Sequence, residues 1–292
     1  MPYNLGDSKP NHFNTLMATR IPTEIACALS ASMLVSPIVS VLDKAMVKEI
    51  SGVAPFVKEI ASSASEIITK PTKFFGSLSF RLTFAVYAGT YAVANLSEAL
   101  LDVGNVQEES QRKPVKVGFS SAANVGLLLW RDSIFAKTYS GAPPKPTPWR
   151  TLAGFAVRDT ATCTATFYLA PKAADYLIKE HEVNEEVAKI STALLVPGVT
   201  QIITAPIHIL ALDIYARTDS TIGERMLRIQ QEFRKIAFAR TLRILPAFGL
   251  GSYSNTKFRH WFIKEEETPI VVGNPFELSA RLTQRRDMSS VQ

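Results

Sequence analysis

The chain has 292 residues, 47% of them hydrophobic and 20% charged, with a formal net charge of +6. That length admits two modest soluble domains or one membrane domain of about six helices, and the low charged share leans to the second. No dense basic run with interleaved aromatics and no glycine-rich phosphate loop appears, which sets nucleic acid aside and leaves an anionic membrane surface or an anionic substrate.

The first twenty residues carry Asp7, Lys9 and Arg20 and no long apolar core. They match neither a secretory signal nor an Arg-rich transit peptide, and residues 1–20 are expected to be an N-terminal extension. The first apolar run is 25–42, uncharged between Glu24 and Asp43, with Pro37 inside it. The second is 82–97, between Arg81 and Glu98, and the third, 117–130, lies between Lys116 and Arg131. The fourth begins near Thr151, is interrupted by Arg158-Asp159, and resumes over 160–171. The fifth, 190–212, has no formal charge and contains Pro197, Pro206 and His208; the sixth covers about 244–256. Only the fifth reaches the roughly 20 residues needed to cross a bilayer unaided. Buried helices of a soluble bundle would show the shorter runs too. Cys27 and Cys163 sit far apart in apolar stretches and read as small buried hydrophobes, not as a disulfide.

The connecting segments discriminate better. The loops between runs one and two, three and four, and five and six are each net basic, whereas 98–116 and 172–189 carry more acids than bases. Alternation with loop parity is what six spans give when Lys and Arg stay on one side of a membrane.

The chain also repeats itself. Asp43, Asp132 and Asp213 close the odd-numbered runs at intervals of 89 and 81 residues, and Arg81, Arg158 and Arg243 open the even ones. Three units are therefore expected: 21–104, 112–180 with a shortened loop, and 186–263, followed by a tail, 264–292. Within the third unit, Ile222, Met226, Ile229, Phe233 and Ile236 recur at helical spacing with charges between, which predicts a surface amphipathic helix. Residues 56–69 are a weaker version. The middle unit has instead a proline-rich connector, 141–148, that cannot be helical. The fold class expected is an all-α membrane protein of six transmembrane helices in three pseudo-repeated hairpins with short amphipathic loop helices.

Three proline-kinked hairpins with arginines opening the even helices resemble the mitochondrial carrier family. The stretch from Arg158-Asp159 to Phe167 is similar to the fourth helix of its amino-acid and acylcarnitine members, and Arg243-Ile-Leu-Pro246 to the sixth. The resemblance covers roughly residues 20–263. The family's signature of proline, one residue, then an acid is absent, since Val39 and His208 stand where the acids would, and Asn124 replaces the middle proline. The acids lie farther along, so a displaced gate of Asp43, Asp132 and Asp213 with Lys48, Lys137 and Arg217 is one reading, and exposed interfacial charges the other.

Ionisable groups at membrane depth cost several kcal/mol and face a water-filled cavity or a partner. By the resemblance, Arg158 and Asp159 meet a zwitterionic substrate, with Arg243 and Arg81 completing a cationic cavity; an interhelical ion pair, and snorkelling for Arg81 and Arg243, are the plainer readings. Pro37 and Pro206 would kink their helices, for hinging or for packing alone. His208 reads as a packing histidine. No metal-ligand spacing and no catalytic constellation occurs, so neither a cofactor nor an enzyme is expected. Two functions follow. One is a solute transporter of the mitochondrial inner membrane, moving a small anionic or zwitterionic metabolite by alternating access, with membrane lipid such as cardiolipin as a further partner. The other is a carrier-derived accessory subunit of a large membrane complex, or an outer-membrane scaffold, that has lost transport. A soluble helical protein is the remaining reading.

Overall fold

The computed structural model describes residues 20–263 apart from 105 and 107. Apart from Arg20, the expected N-terminal extension and C-terminal tail lie outside the described residues. No strand occurs among them; the elements are α1 (Ile21–Ile50), α2 (Phe56–Thr69), α3 (Pro71–Phe75), α4 (Leu78–Val103), α5 (Glu109–Tyr139), α6 (Trp149–Thr164), α7 (Ala170–His181), α8 (Glu185–Ala216), α9 (Ile222–Leu242) and α10 (Tyr253–Phe262). Two π-helical segments interrupt the series, Ala165–Leu169 between α6 and α7 and Leu245–Ser252 between α9 and α10. The first is followed by Pro171 and the second contains Pro246, and the missing N–H of each loosens the i to i−4 ladder.

Helix starts follow local side-chain chemistry. Ser77 accepts from the Phe80 N–H at the head of α4, and Asn184 accepts from the Glu186 and Val187 N–H groups at the head of α8. At α9 Thr221 and Glu224 form a reciprocal capping box. The connector 141–148 is non-helical, as its prolines dictate, and Gly141 turns it with φ +70°.

Burial is inverted relative to a water-soluble bundle. α1 hides Ala28, Ala31, Ser32, Val35, Ser36 and Val39 while exposing Ile25, Leu29, Met33, Leu34 and Ile38. α8 does the same: Gly198, Gln201, Thr204, Ala205 and His208 are inside, Leu195, Val199, Ile202 and Ile203 outside. Small and polar residues inward with large aliphatics outward is the arrangement of helices packed in lipid, where burial of Leu or Ile against protein gains little over burial in acyl chains. Among the described residues α1 and α8 are also the two helices long and apolar enough to cross a membrane. Buried hydroxyls are satisfied locally, Ser32 donating to the Ala28 carbonyl and Ser36 to that of Ser32.

The long helices pack in chain order, α1 on α4, α4 on α5, α5 on α6, α6 on α8 and α8 on α9, and the C-terminal π-helical segment and α10 return to pack on α1. At the α6–α8 crossing Gly154 is essential, because a Cβ there would stand 2.9 Å from Ala211 Cβ. Thr151 donates to the Ala211 carbonyl at 3.1 Å in the same contact. That close approach presses the next turn of α6, which carries Arg158, against α8.

The expected amphipathic helix is longer than its pattern. α9 runs without a break from Ile222 to Leu242, leaving Ile222 and Met226 exposed and burying Ile236, so the stripe serves the surface at one end and the interior at the other.

Candidate functional site

Four elements each bring a charge to one buried layer. Asp43 comes from α1, Arg131 and Asp132 from the last third of α5, Arg158 and Asp159 from α6, and Arg243 from just past α9. They form a continuous chain of ion pairs. Arg243 Nη1 binds Asp43 at 2.8 Å, and Arg131 Nη1 reaches the same carboxylate at 2.5 Å. Arg131 then holds Asp132 at 2.6 Å, Arg158 takes the other Asp132 oxygen at 2.5 Å, and Arg158 closes on Asp159 at 2.6 Å. Arg131 and Arg158 are each only 2% exposed. Their guanidinium planes are backed by rings on their own helices, Phe135 at 5.3 Å and Phe155 at 5.1 Å. Such a network costs several kcal/mol per ion to desolvate and is tolerated because Asp43 and Asp132 each bridge two arginines and Asp159 accepts two bonds from Arg158.

Two further polar groups border the layer. His208 of α8 meets Arg158 Nη1 through Nδ1 at 2.7 Å. Arg240 of α9 donates to Gln201 Oε1 and, at 3.3 Å, to Thr204 Oγ1. Asp43, Asp132, Arg158, His208, Arg240 and Arg243 line a cavity of about 10 Å³, room for about one water, so the layer is shut in this conformation.

The residues singled out in the sequence fall into two groups. Asp43, Asp132, Arg158, Asp159 and Arg243 converge in the layer, and Arg158 and Asp159 face neighbouring helices across it. The others lie elsewhere. Arg81 is exposed and outside the cluster. Lys48 pairs with Glu59 at 2.8 Å, Lys137 is exposed, and Asp213 is held by Arg225 at 2.7 Å with Arg217 at 3.6 Å. Pro37 and Pro206 are half-buried inside α1 and α8. Arg131, Arg240 and Gln201 were not anticipated. For Arg131 a signal existed: the step Arg131-Asp132 repeats Arg158-Asp159, and in both the arginine forks onto its own neighbour.

At the opposite end, about 28 Å along α1 from Asp43 at 1.5 Å per residue, lies a second cluster. Arg259 binds Glu24 at 2.6 Å and Glu98 at 2.9 Å, and Lys116 binds Glu98 at 2.6 Å. Below it Asn95 and Asn255 exchange amide hydrogen bonds at 3.1 and 2.8 Å.

A larger open basin, about 680 Å³, lies beside α2 and α3, but three of its four lining lysines are already matched, Lys44 and Lys48 on Glu59 and Lys73 on Glu66. Burial pushes the Glu59 carboxyl up, yet the Lys44 and Lys48 hydrogen bonds outweigh it and hold the group below its ordinary 4.5. A depressed folded-state value means the clamp stabilises fully above pH 4.5 and is lost as pH falls through the lowered value. Thermal melts from pH 7 to pH 3 should therefore show wild type above Glu59→Gln at neutral pH, the gap closing only at the acid end. A gap independent of pH would show that Glu59 acts through packing alone.

A family model described as a probable citrulline exporter matches residues 27–263. The chain belongs to that family. No curated protein and no solved structure matches it.

Membership in the exporter family corrects the mitochondrial carrier resemblance. The motifs that suggested carriers, an arginine–acid step in an apolar helix and Arg-x-x-Pro, are short, and any membrane protein that buries paired charges and breaks a helix near them meets the same physical demands. The absent proline–acid signature was the more specific indication. As a member of an exporter family, the protein is a membrane transporter and not an enzyme. The exporter match spans all four elements of the charge layer, Asp43 through Arg243, and takes in Glu98, Lys116 and Arg259 of the opposite cluster but not Glu24.

Proposed function

We propose that the protein exports citrulline, or an amino acid of the same chemistry, across a membrane by alternating exposure of the buried charge layer. The observation that carries this is the chain Arg243–Asp43–Arg131–Asp132–Arg158–Asp159 inside a family described as a probable citrulline exporter. Citrulline is a zwitterion with a neutral, hydrogen-bonding side chain. Its carboxylate can meet an arginine of the layer and its ammonium can replace an arginine on an aspartate, so a bound substrate can open an internal ion pair with little net change in charge. That exchange makes opening of the layer conditional on substrate, which is what alternating access requires. Six spans in three hairpin units belong to this reading, supported by the loop-charge alternation and by the chain-order packing that closes on α1. The mitochondrial membrane was an implication of the carrier resemblance and has no other support. The accessory-subunit alternative drew on the missing carrier signature charges and on a middle unit shortened relative to carriers, arguments that go with the carrier assignment.

The experiment is efflux of labelled citrulline from liposomes containing the purified protein. Efflux competed by ornithine-sized neutral amino acids but not by dicarboxylates is expected. Liposomes that retain citrulline while releasing a dicarboxylate would refute the substrate class.

A further inference from the structure

The charge layer is one anion short. Four arginines, Arg131, Arg158, Arg240 and Arg243, face three aspartates, and all three are already held by Arg131, Arg158 and Arg243. Arg240 is 3% exposed and has no carboxylate within ion-pairing distance among the described residues. It binds Gln201 and Thr204, which are neutral, and its Nε–H has no acceptor. The charges around it are Arg158 and Arg243, which repel it, and the already engaged Asp159 and Asp43.

His208 presents a second orphan. A guanidinium only donates, so the contact with Arg158 makes Nδ1 the acceptor and leaves the proton of the neutral ring on Nε2. That Nε2 is buried and without a partner, and His208 and Arg240 line the same cavity. Two inward donors and one uncompensated positive charge thus share one small space. A water would supply an acceptor but no charge. A phosphate would bring excess charge and bulk. A carboxylate supplies one negative charge and two acceptor oxygens on a rigid plane.

We propose that Arg240 and His208 seat the carboxylate of the transported amino acid, with Gln201 and Thr204 holding the Arg240 side chain in place. The proposal rests on the reading of the chain as an amino-acid exporter and deepens it: the carboxylate is recognised at α8 and α9, leaving the Arg158–Asp159 side of the layer to the ammonium. In the shut conformation the unmatched arginine is a standing cost, which substrate removes as the cavity widens to admit it.

The probe is acetate, compared with its neutral isostere acetamide at constant ionic strength, read as the melting temperature of the purified protein. Wild type should rise with acetate and not with acetamide. Arg240→Gln should lose that response and, without ligand, melt about 2–4 °C higher than wild type because the uncompensated charge is gone. An acetate response that is absent in wild type, or equal in Arg240→Gln, overturns the proposal. Arg240→Lys keeps the charge without the fork; a response kept but at about tenfold higher acetate supports the seat, and an unchanged midpoint overturns it. Citrulline efflux is measured in parallel. A normal acetate pattern with no efflux leaves the seat standing and removes only the substrate reading, whereas citrulline efflux that Arg240→Gln leaves intact removes the seat.

Discussion

Arg158→Ala is expected to destabilise the protein by about 3–5 kcal/mol and to abolish transport. Arg158 is the partner of both Asp132 and Asp159 and also hydrogen-bonds His208. Asp132 keeps Arg131 after the substitution, but Asp159 is left 4% exposed with no cation, and it is this stranded charge that sets the cost. Loss of transport in that variant could reflect misfolding, so the double variant Arg158→Leu with Asp159→Leu is the informative one. Removing both members of a buried pair restores most of the stability that removing one destroys. If the layer handles substrate, the double variant melts near wild type and still moves no citrulline. Efflux at the wild-type rate in the double variant would reduce the Arg158–Asp159 pair to a packing device.

Glu24→Ala should cost about 3 kcal/mol, toward the lower end of the range for breaking a buried pair. Glu24 is fully buried and takes two hydrogen bonds from Arg259, at 2.6 and 2.9 Å, with Arg20 at 3.4 Å. Its loss leaves Arg259 still paired with Glu98, an acid it shares with Lys116, which is why the cost is less than at Arg158. A cycle with Arg259→Leu measures the coupling directly. Additive effects of the two single substitutions would mean that the cluster does not tie α1 to α10. Because it closes the end opposite the charge layer, the variant should also release preloaded citrulline faster than it melts.

Much of the candidate site could be read from residue types alone. Recurrence at the ends of their runs picks out Asp43, Asp132 and Arg243 without coordinates, and the rule that a charge inside an apolar run must be paired or face water selects Arg158 and Asp159. It fails for Arg240 and Arg131, which stand at the ends of apolar runs among other charges and so look interfacial. They are interior because helix extends beyond the apolar stretch on that side: α5 continues past the third run to Tyr139, and α9 precedes the sixth from Ile222 to Leu242. Polar residues on the inward face of a lipid-packed bundle break the run that hydropathy follows, so hydropathy underestimates a helix at the point where its site lies. Arg81 fails in the opposite sense. It opens an apolar run as Arg158 and Arg243 do, yet it is exposed.

By itself, then, the sequence determined the helical class, the non-helical connector at 141–148, the helix caps and the set of charges too costly to leave unpaired, because each follows from short-range sterics, local hydrogen bonding or solvation. Only the tertiary structure decided which charges pair and which arginine is left over. Pairing depends on the rotation of each helix about its axis and on contacts such as Gly154 against Ala211, and neither is encoded in any single segment. Asp43 could have met Lys48 one turn away. Instead Lys48 turns outward to Glu59, and Asp43 binds Arg131 and Arg243, 88 and 200 residues distant in the chain.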